Sequence, residues 1–317
     1  MNALITGGAG FLGANLVRRL LRDGFCVTVL DNLYTGRLSN LEGLDITFIQ
    51  QDVREPISGS YDIIFNLACP ASPPHYQRAP LDTLLTCIDG MRNVLELARR
   101  CGAMVLHTST SEIYGDPEIH PQPESYWGHV NTLGVRSCYD EGKRAAETLA
   151  LEYARAYGVD VRLIRIFNTY GPYMDPKDGR VVSNFILQAL KNQPFTLFGT
   201  GEQTRSFQFV DDLIEAILLF VKKTQAECTH FFAEKGVALP VLNIGNPGEF
   251  TMRELAETIL TLLPECTSTM MYAPLPSDDP KRRRPDNTWA KAFLNWEPRI
   301  PLIEGLQQTI AYFKTTC

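Results

Sequence analysis

Residues 2–22 read NALITGGAGFLGANLVRRLLR: a short strand-like run, glycines at 7, 10 and 13 in G-x-x-G-x-x-G spacing, then a helical pattern without a break. Glycines at a strand-to-helix turn let the backbone approach a pyrophosphate, whose charge the helix N-terminus meets. A tight turn alone is the plain alternative. The next run, CVTVLD, ends in Asp31, where a strand-end carboxylate can bond an adenosine ribose. Because a carboxylate repels a 2′-phosphate and accepts from a free diol, Asp31 favours NAD over NADP; Arg37 in YTGR keeps NADP open. Gly7, Gly10, Phe11, Leu12 and Gly13, then Asn32 and Gly36 behind Asp31, are the expected cofactor contacts. Asp52 and Val53 after the third strand, with Leu67 and Ala68 after the fourth, complete the set, although Asp52 reads equally as a loop cap.

The same alternation continues: ITFIQQD, YDIIFNLA, a helix from about Leu81, MVLHTS, a helix from about Tyr139, DVRLIRIF. It predicts a Rossmann-type α/β fold, a doubly wound parallel sheet covered by helices on both faces. Gly24, Gly102 and Gly158 each follow a helical run, where a left-handed residue ends a helix. Past Phe167 the elements shorten and Gly and Pro increase, with helices expected near 182–191, 211–222, 251–263 and 302–313. Thr251 and Glu254 stand in capping-box spacing at the third of these. The expected division is an NAD-binding part over 1–166 and a smaller α/β substrate-binding part over 167–317, some of whose segments return to the first sheet.

A net charge of −6 opposes general binding to nucleic acid or anionic membrane. The 8 cysteines lack C-x-x-C pairs and histidines at ligand spacing, so neither a disulfide framework nor a metal site is expected. No leader pattern or run of about 18 apolar residues occurs, and a cytoplasmic, soluble chain is expected.

In CYDEGKRAAE, Tyr139 and Lys143 lie one turn apart on one helix face. A phenol with an ordinary pKa of about 10 serves as a base near neutrality only with help from an ammonium and a bound positive nicotinamide. The stretch TSTSEIYGD places Thr110, Ser111 and Glu112 at a strand end, where a carboxylate needs a partner or a task. Together these residues resemble the extended short-chain dehydrogenase/reductases. The resemblance implies that Thr110 bonds the reacting hydroxyl, Tyr139 removes its proton, and Lys143 holds the nicotinamide ribose while lowering the phenol pKa.

A narrower resemblance rests on ACPASPPHY, TSTSEIYGDPEIHPQPESYWGHVN, RIFNTYGP, DGRVVSNFILQAL, GTGEQTRSFQFVDDL, NIGNP, DDPKRRRPD and LNWEP, in that order. The ordered set is similar to the UDP-glucuronate decarboxylase family. Thr132, Leu133 and Val135 depart from a loop that often carries prolines there. Membership implies oxidation of the sugar at C4, loss of CO2 from the β-keto acid, and re-reduction to UDP-xylose with NAD returned unchanged. It further implies that Glu112 lies near C5, as a repelling charge or as an acid, and that Arg283 meets the substrate carboxylate. Ser111 replaces the aspartic acid that related dehydratases use. Asn168, Arg180 and Arg205 are expected to hold the UDP-sugar, the arginines through bidentate phosphate bonds. A homodimer formed through a four-helix bundle is implied as well. The competing readings are a nucleotide-sugar 4-epimerase or 4,6-dehydratase, against which Ser111 and Arg283 speak, and a non-catalytic NAD-sensing protein, which commonly lacks the Tyr-Lys pair.

Overall fold

The computed structural model describes residues 1–274 and 282–316. The Asp278–Lys281 portion of DDPKRRRPD and Cys317 lie outside the described residues. The elements of the first half run β1 (Asn2–Thr6), α1 (Phe11–Arg22), β2 (Cys26–Asp31), β3 (Thr47–Gln50), β4 (Ile63–Asn66), α2 (Pro73–Arg78), α3 (Pro80–Leu85), α4 (Met91–Cys101), β5 (Met104–Thr110), α5 (Ser137–Tyr157) and β6 (Val161–Ile166). A seven-stranded sheet has the order β11-β6-β5-β4-β1-β2-β3, with β11 formed by Val241–Ile244. Every pairing in it is parallel.

Strands buried on both faces read as continuous apolar runs, and alternate side chains divide between two cores. Ala3, Ile5, Val29, Phe65 and Leu106 pack with Leu16, Val17 and Leu20 of α1 on one face. Leu4, Leu30, Ile64, Val105 and Leu163 pack with Val94 and Leu95 of α4 and Ala146 and Ala150 of α5 on the other. Left-handed Gly102 and Gly158 end α4 and α5.

The later elements are β7 (Thr169–Tyr170), α6 (Val181–Leu190), β8 (Phe195–Phe198), β9 (Thr204–Ser206), β10 (Gln208–Phe209), α7 (Val210–Val221), α8 (Gln225–Glu234), β11, β12 (Glu249–Thr251), α9 (Met252–Leu262), β13 (Met270–Ala273), α10 (Thr288–Leu294) and α11 (Leu302–Thr316). Three two-stranded pairs, β10-β7, β12-β9 and β13-β8, form outside the large sheet. The capping box at Thr251 and Glu254 forms.

The helix expected from about Leu81 forms and carries a π turn over Thr86–Gly90 between α3 and α4, the backbone staying right-handed helical through both junctions. Helix α8, unforeseen, buries only Cys228 and Phe232, too sparse an apolar stripe to announce a period, although Thr224 and Glu227 form a capping box at its start. No helix among the described residues is long and apolar enough to cross a membrane.

Candidate active site

A cleft of about 950 Å3 opens at the carboxyl ends of the strands, where the strand order reverses between β1 and β4. That is the place where open α/β sheets bind ligands. Its floor begins at Gly7, Gly10, Phe11, Leu12 and Gly13. Gly13 is obligatory there, since a Cβ would collide with the Gly7 carbonyl oxygen. Gly10, at the N-cap of α1, brings no capping side chain, and the first turn holds no acid. Among the described residues, the first amides of α1 are therefore left uncapped by side chains, with the positive end of the helix facing an anion's place.

Further along, Asp31 and Asn32 line the cleft. The Asp31 carboxylate accepts from the Ala9 amide at 3.0 Å and the Leu33 amide at 2.8 Å. Burial pushes its pKa up, and those two amides pull against it. Gly36 does not line the cleft but makes room for it, because a Cβ there would meet both Asp31 oxygens at 2.9 Å. Asp52 and Val53, with Leu67 and Ala68, form the adjoining wall. Asp52 also caps its own loop, accepting from the Arg54 amide at 2.9 Å and from Asn32 Nδ2 at 3.2 Å, so its two readings coexist. Arg37, the cation that kept NADP open, pairs with Asp175 at 2.5 Å. Uncapped amides at one end and a half-satisfied carboxylate at the other fit a dinucleotide with a free ribose diol.

Thr110 closes β5, and its hydroxyl accepts from the Glu112 amide at 3.1 Å while sharing a hydrogen bond with Tyr139. Helix α5 carries Tyr139 and Lys143 into the cleft on one face. The Lys143 ammonium donates to the Thr108 carbonyl at 2.8 Å and stands 6.0 Å from the Tyr139 ring centroid. In the protein alone, burial pushes the Tyr139 phenol well above its ordinary pKa, and the Thr110 bond pulls against that. Tyr76 stacks on Tyr139, centroids 5.2 Å apart and planes within 5°.

Glu112 is held by two arginines. Arg136 Nη2 donates to Oε2 at 2.7 Å; Arg283 donates to Oε2 at 3.2 Å and to Oε1 from its other terminal nitrogen. Burial alone would raise the carboxyl, but Arg283 and Arg136 outweigh it and bring its pKa to about 2. Asp140, beside the cluster, moves the other way: burial and the Glu112 charge lift its pKa to about 7. Two guanidinium groups thus share the Glu112 carboxylate next to Thr110 and Tyr139. Ser111, Asn168, Arg180 and Arg205 complete the lining, Arg180 paired with Asp178 at 3.1 Å and Arg205 donating to the Thr204 carbonyl at 2.9 Å.

The sequence reading missed Arg136, Tyr76 and Asp140. Arg136 and Asp140 flank Tyr139 within three positions, a proximity that could have drawn notice; the Tyr76 stack joins residues 76 and 139 and leaves no local signal. Among the described residues no group of three or more His, Cys, Asp or Glu side chains is placed to hold a metal ion.

Residues 3–232 match the NAD dependent epimerase/dehydratase family. UDP-glucuronic acid decarboxylase 1 of Arabidopsis thaliana is 49% identical over 99% of this chain and 70% of its own length. The Danio rerio protein of the same name is 49% identical over 98% of this chain and 72% of its own. Among solved structures, a UDP-glucose 4-epimerase of Thermotoga maritima with UDP-glucose superposes with a TM-score of 0.88 at 30% identity, over 100% of this chain and 99% of that one. The Thermus thermophilus UDP-glucose 4-epimerase in complex with NAD gives 0.85 at 27% identity, over 100% of both chains. The strand order, the cleft at its reversal and these full-length likenesses agree: the chain belongs to the NAD dependent epimerase/dehydratase family and, within it, to the UDP-glucuronic acid decarboxylases.

Proposed function

We infer that the chain decarboxylates UDP-glucuronate to UDP-xylose through a UDP-4-keto intermediate, with NAD as cofactor. The observation that carries the reading is the Glu112 cluster: Arg283, 3% exposed, shares this one carboxylate with Arg136. A second anion entering this site finds a cation beside the Thr110–Tyr139 hydroxyl pair. A neutral hexose, the sugar of a 4-epimerase, would make no use of the doubled guanidinium.

The amides at the N-terminus of α1 would hold the pyrophosphate of NAD, Asp31 its adenosine ribose, and Lys143 the nicotinamide ribose. When bound, NAD+ supplies the hydride acceptor that makes C4 a ketone, and the reduced form supplies the hydride that restores the alcohol. Thr110 and Tyr139 would bind the C4 oxygen, Tyr139 taking its proton. Arg283 and Arg136 would orient the C5 carboxylate; Tyr139, then protonated, would hydrogen-bond the enolate oxygen that develops as CO2 leaves, and a proton from water would take the carboxylate's place at C5, regenerating the C4 ketone. Glu112, ionised, acts by its charge rather than as an acid in this arrangement, pushing against the substrate carboxylate while sharing its arginines. Arg205 and Arg180 would hold the diphosphate, and Asn168 the sugar.

Incubation with UDP-glucuronate and NAD+ is expected to release one CO2 per UDP-xylose formed, without net NADH. Conversion of UDP-glucose to UDP-galactose with no CO2 from UDP-glucuronate would replace this reading with a 4-epimerase.

We further propose a homodimer. Leu81 on α3 and Tyr157 on α5 expose apolar surface on two helices that pack against each other, a pair that a second copy could extend to a four-helix bundle. Light scattering is expected to give twice the chain mass, and a single chain mass at micromolar concentration overturns it.

A further inference from the structure

Two thiols that the proposed chemistry does not use meet at the floor of the cleft. Cys69, in the loop after β4, lines the cleft; Cys87 sits in the π turn between α3 and α4 and is 3% exposed. Their sulfurs are 3.3 Å apart, only ~1.3 Å longer than a disulfide bond. Cys87 has little room to turn away, since a Cβ on Gly142 of α5 would lie 3.1 Å from its Cβ and its Sγ. Cys138, the third thiol nearby, is directed elsewhere, towards the Tyr76 carbonyl at 3.7 Å.

We propose that Cys69 and Cys87 form an oxidation site for peroxides, a dithiol that closes to a disulfide and disables the cofactor end of the cleft. The two thiols divide the work. The Cys87 hydrogen bond, against burial and with help from the Lys143 ammonium, draws the Cys69 thiol down; the Cys69 bond and burial hold the Cys87 thiol up. Cys69, half-buried and facing the cleft, is thus the nucleophile and Cys87 the protonated partner.

Cys69 sulfur attacks one peroxide oxygen, the O–O bond breaks, and the departing hydroxide takes a proton to become water. Cys87 sulfur then displaces the oxygen from the sulfenic acid; the S–S bond forms, the S–O bond breaks, and a second water leaves with the Cys87 proton. Two thiols lose two electrons, and hydrogen peroxide gains them. The closed bond pulls the Cys69 loop towards the π turn. That loop adjoins Ala68, whose backbone lies so close to Gly7 that a Cβ on Gly7 would meet it at 2.9 Å, so the displacement reaches the glycine turn.

The full chain is treated with hydrogen peroxide and read by mass spectrometry, alkylation of residual thiols and calorimetry with NAD+. Expected are a loss of about 2 Da, the two thiol hydrogens, a peptide carrying Cys69 linked to one carrying Cys87, at least roughly tenfold weaker NAD+ binding, and recovery of both by dithiothreitol. In Cys87→Ala no linked peptide forms, and Cys69 instead reacts with dimedone as a sulfenic acid. Full alkylation of Cys69 and Cys87 after peroxide, or a bond from Cys69 to Cys138 with Cys87 still free, overturns the site. Unchanged NAD+ affinity in the cross-linked protein overturns its effect on the cleft.

Discussion

Tyr139→Phe is expected to lower the rate of CO2 release by about 10^3-fold while leaving NAD+ affinity within about threefold, in line with the 10²–10⁴ that positioned acid–base groups supply. The substitution deletes one oxygen from a ring that is 5% exposed and stacked on Tyr76, and the phenylalanine ring keeps that stack. Fold and cofactor floor therefore stay, and what disappears is the hydroxyl paired with Thr110. The protein alone keeps that hydroxyl protonated at neutral pH, because burial penalises the phenolate. In the proposed reaction Tyr139 would become a base only when the bound coenzyme adds its positive charge to that of Lys143, already 6.0 Å from the ring centroid. Proton removal and cofactor occupancy are thereby tied together. Single-turnover CO2 release and calorimetry check both halves, and near-native turnover in Tyr139→Phe would remove the phenol from the reaction.

The parts of this site legible in the sequence are those whose geometry is local. A glycine turn, a strand-end aspartate and a Tyr-Lys pair one helical turn apart each sit within a few residues, so spacing alone carries their meaning. The large sheet was legible for the same reason: period and punctuation mark each β-α unit. What escaped is set by long-range packing. Glu112 meets Arg136 and Arg283 across 24 and 171 residues. A strand-end glutamate and a basic run look separately like a solvated loop and a charged surface; the fold makes them one buried cluster. The family resemblance directed attention to Arg283, but no pattern of spacing assigned Arg136 the other half of the clamp. Likewise, Cys69 and Cys87 are inconspicuous 18 residues apart until a π turn aims one at the other.

Opposite changes in KM are expected from the two sides of the Glu112 cluster. Arg283→Ala removes one of the two cations that share this carboxylate, and is expected to raise KM for UDP-glucuronate at least roughly tenfold and lower kcat by about 10²-fold, within the range seen for lost charge-positioning groups. Arg283→Lys is expected to recover only part, since an ammonium cannot reproduce two parallel bonds. Glu112→Gln leaves both arginines and removes the negative charge, so KM is expected to fall while kcat drops: the substrate carboxylate is then held without opposition and without the repulsion that favours its departure. The Glu112 carboxyl has a pKa of about 2, depressed from 4.5, so it contributes no titration to the rate above about pH 4. Its stabilising effect is fully present above pH ~4.5 and is lost as pH falls towards 2. Glu112→Gln should accordingly lower the melting temperature at neutral pH, with the difference from wild type shrinking below about pH 4.5. Steady-state kinetics with UDP-glucuronate and melting curves across pH test the arrangement. If Arg283→Ala and Glu112→Gln move KM in the same direction, the cluster does not receive the substrate's carboxylate.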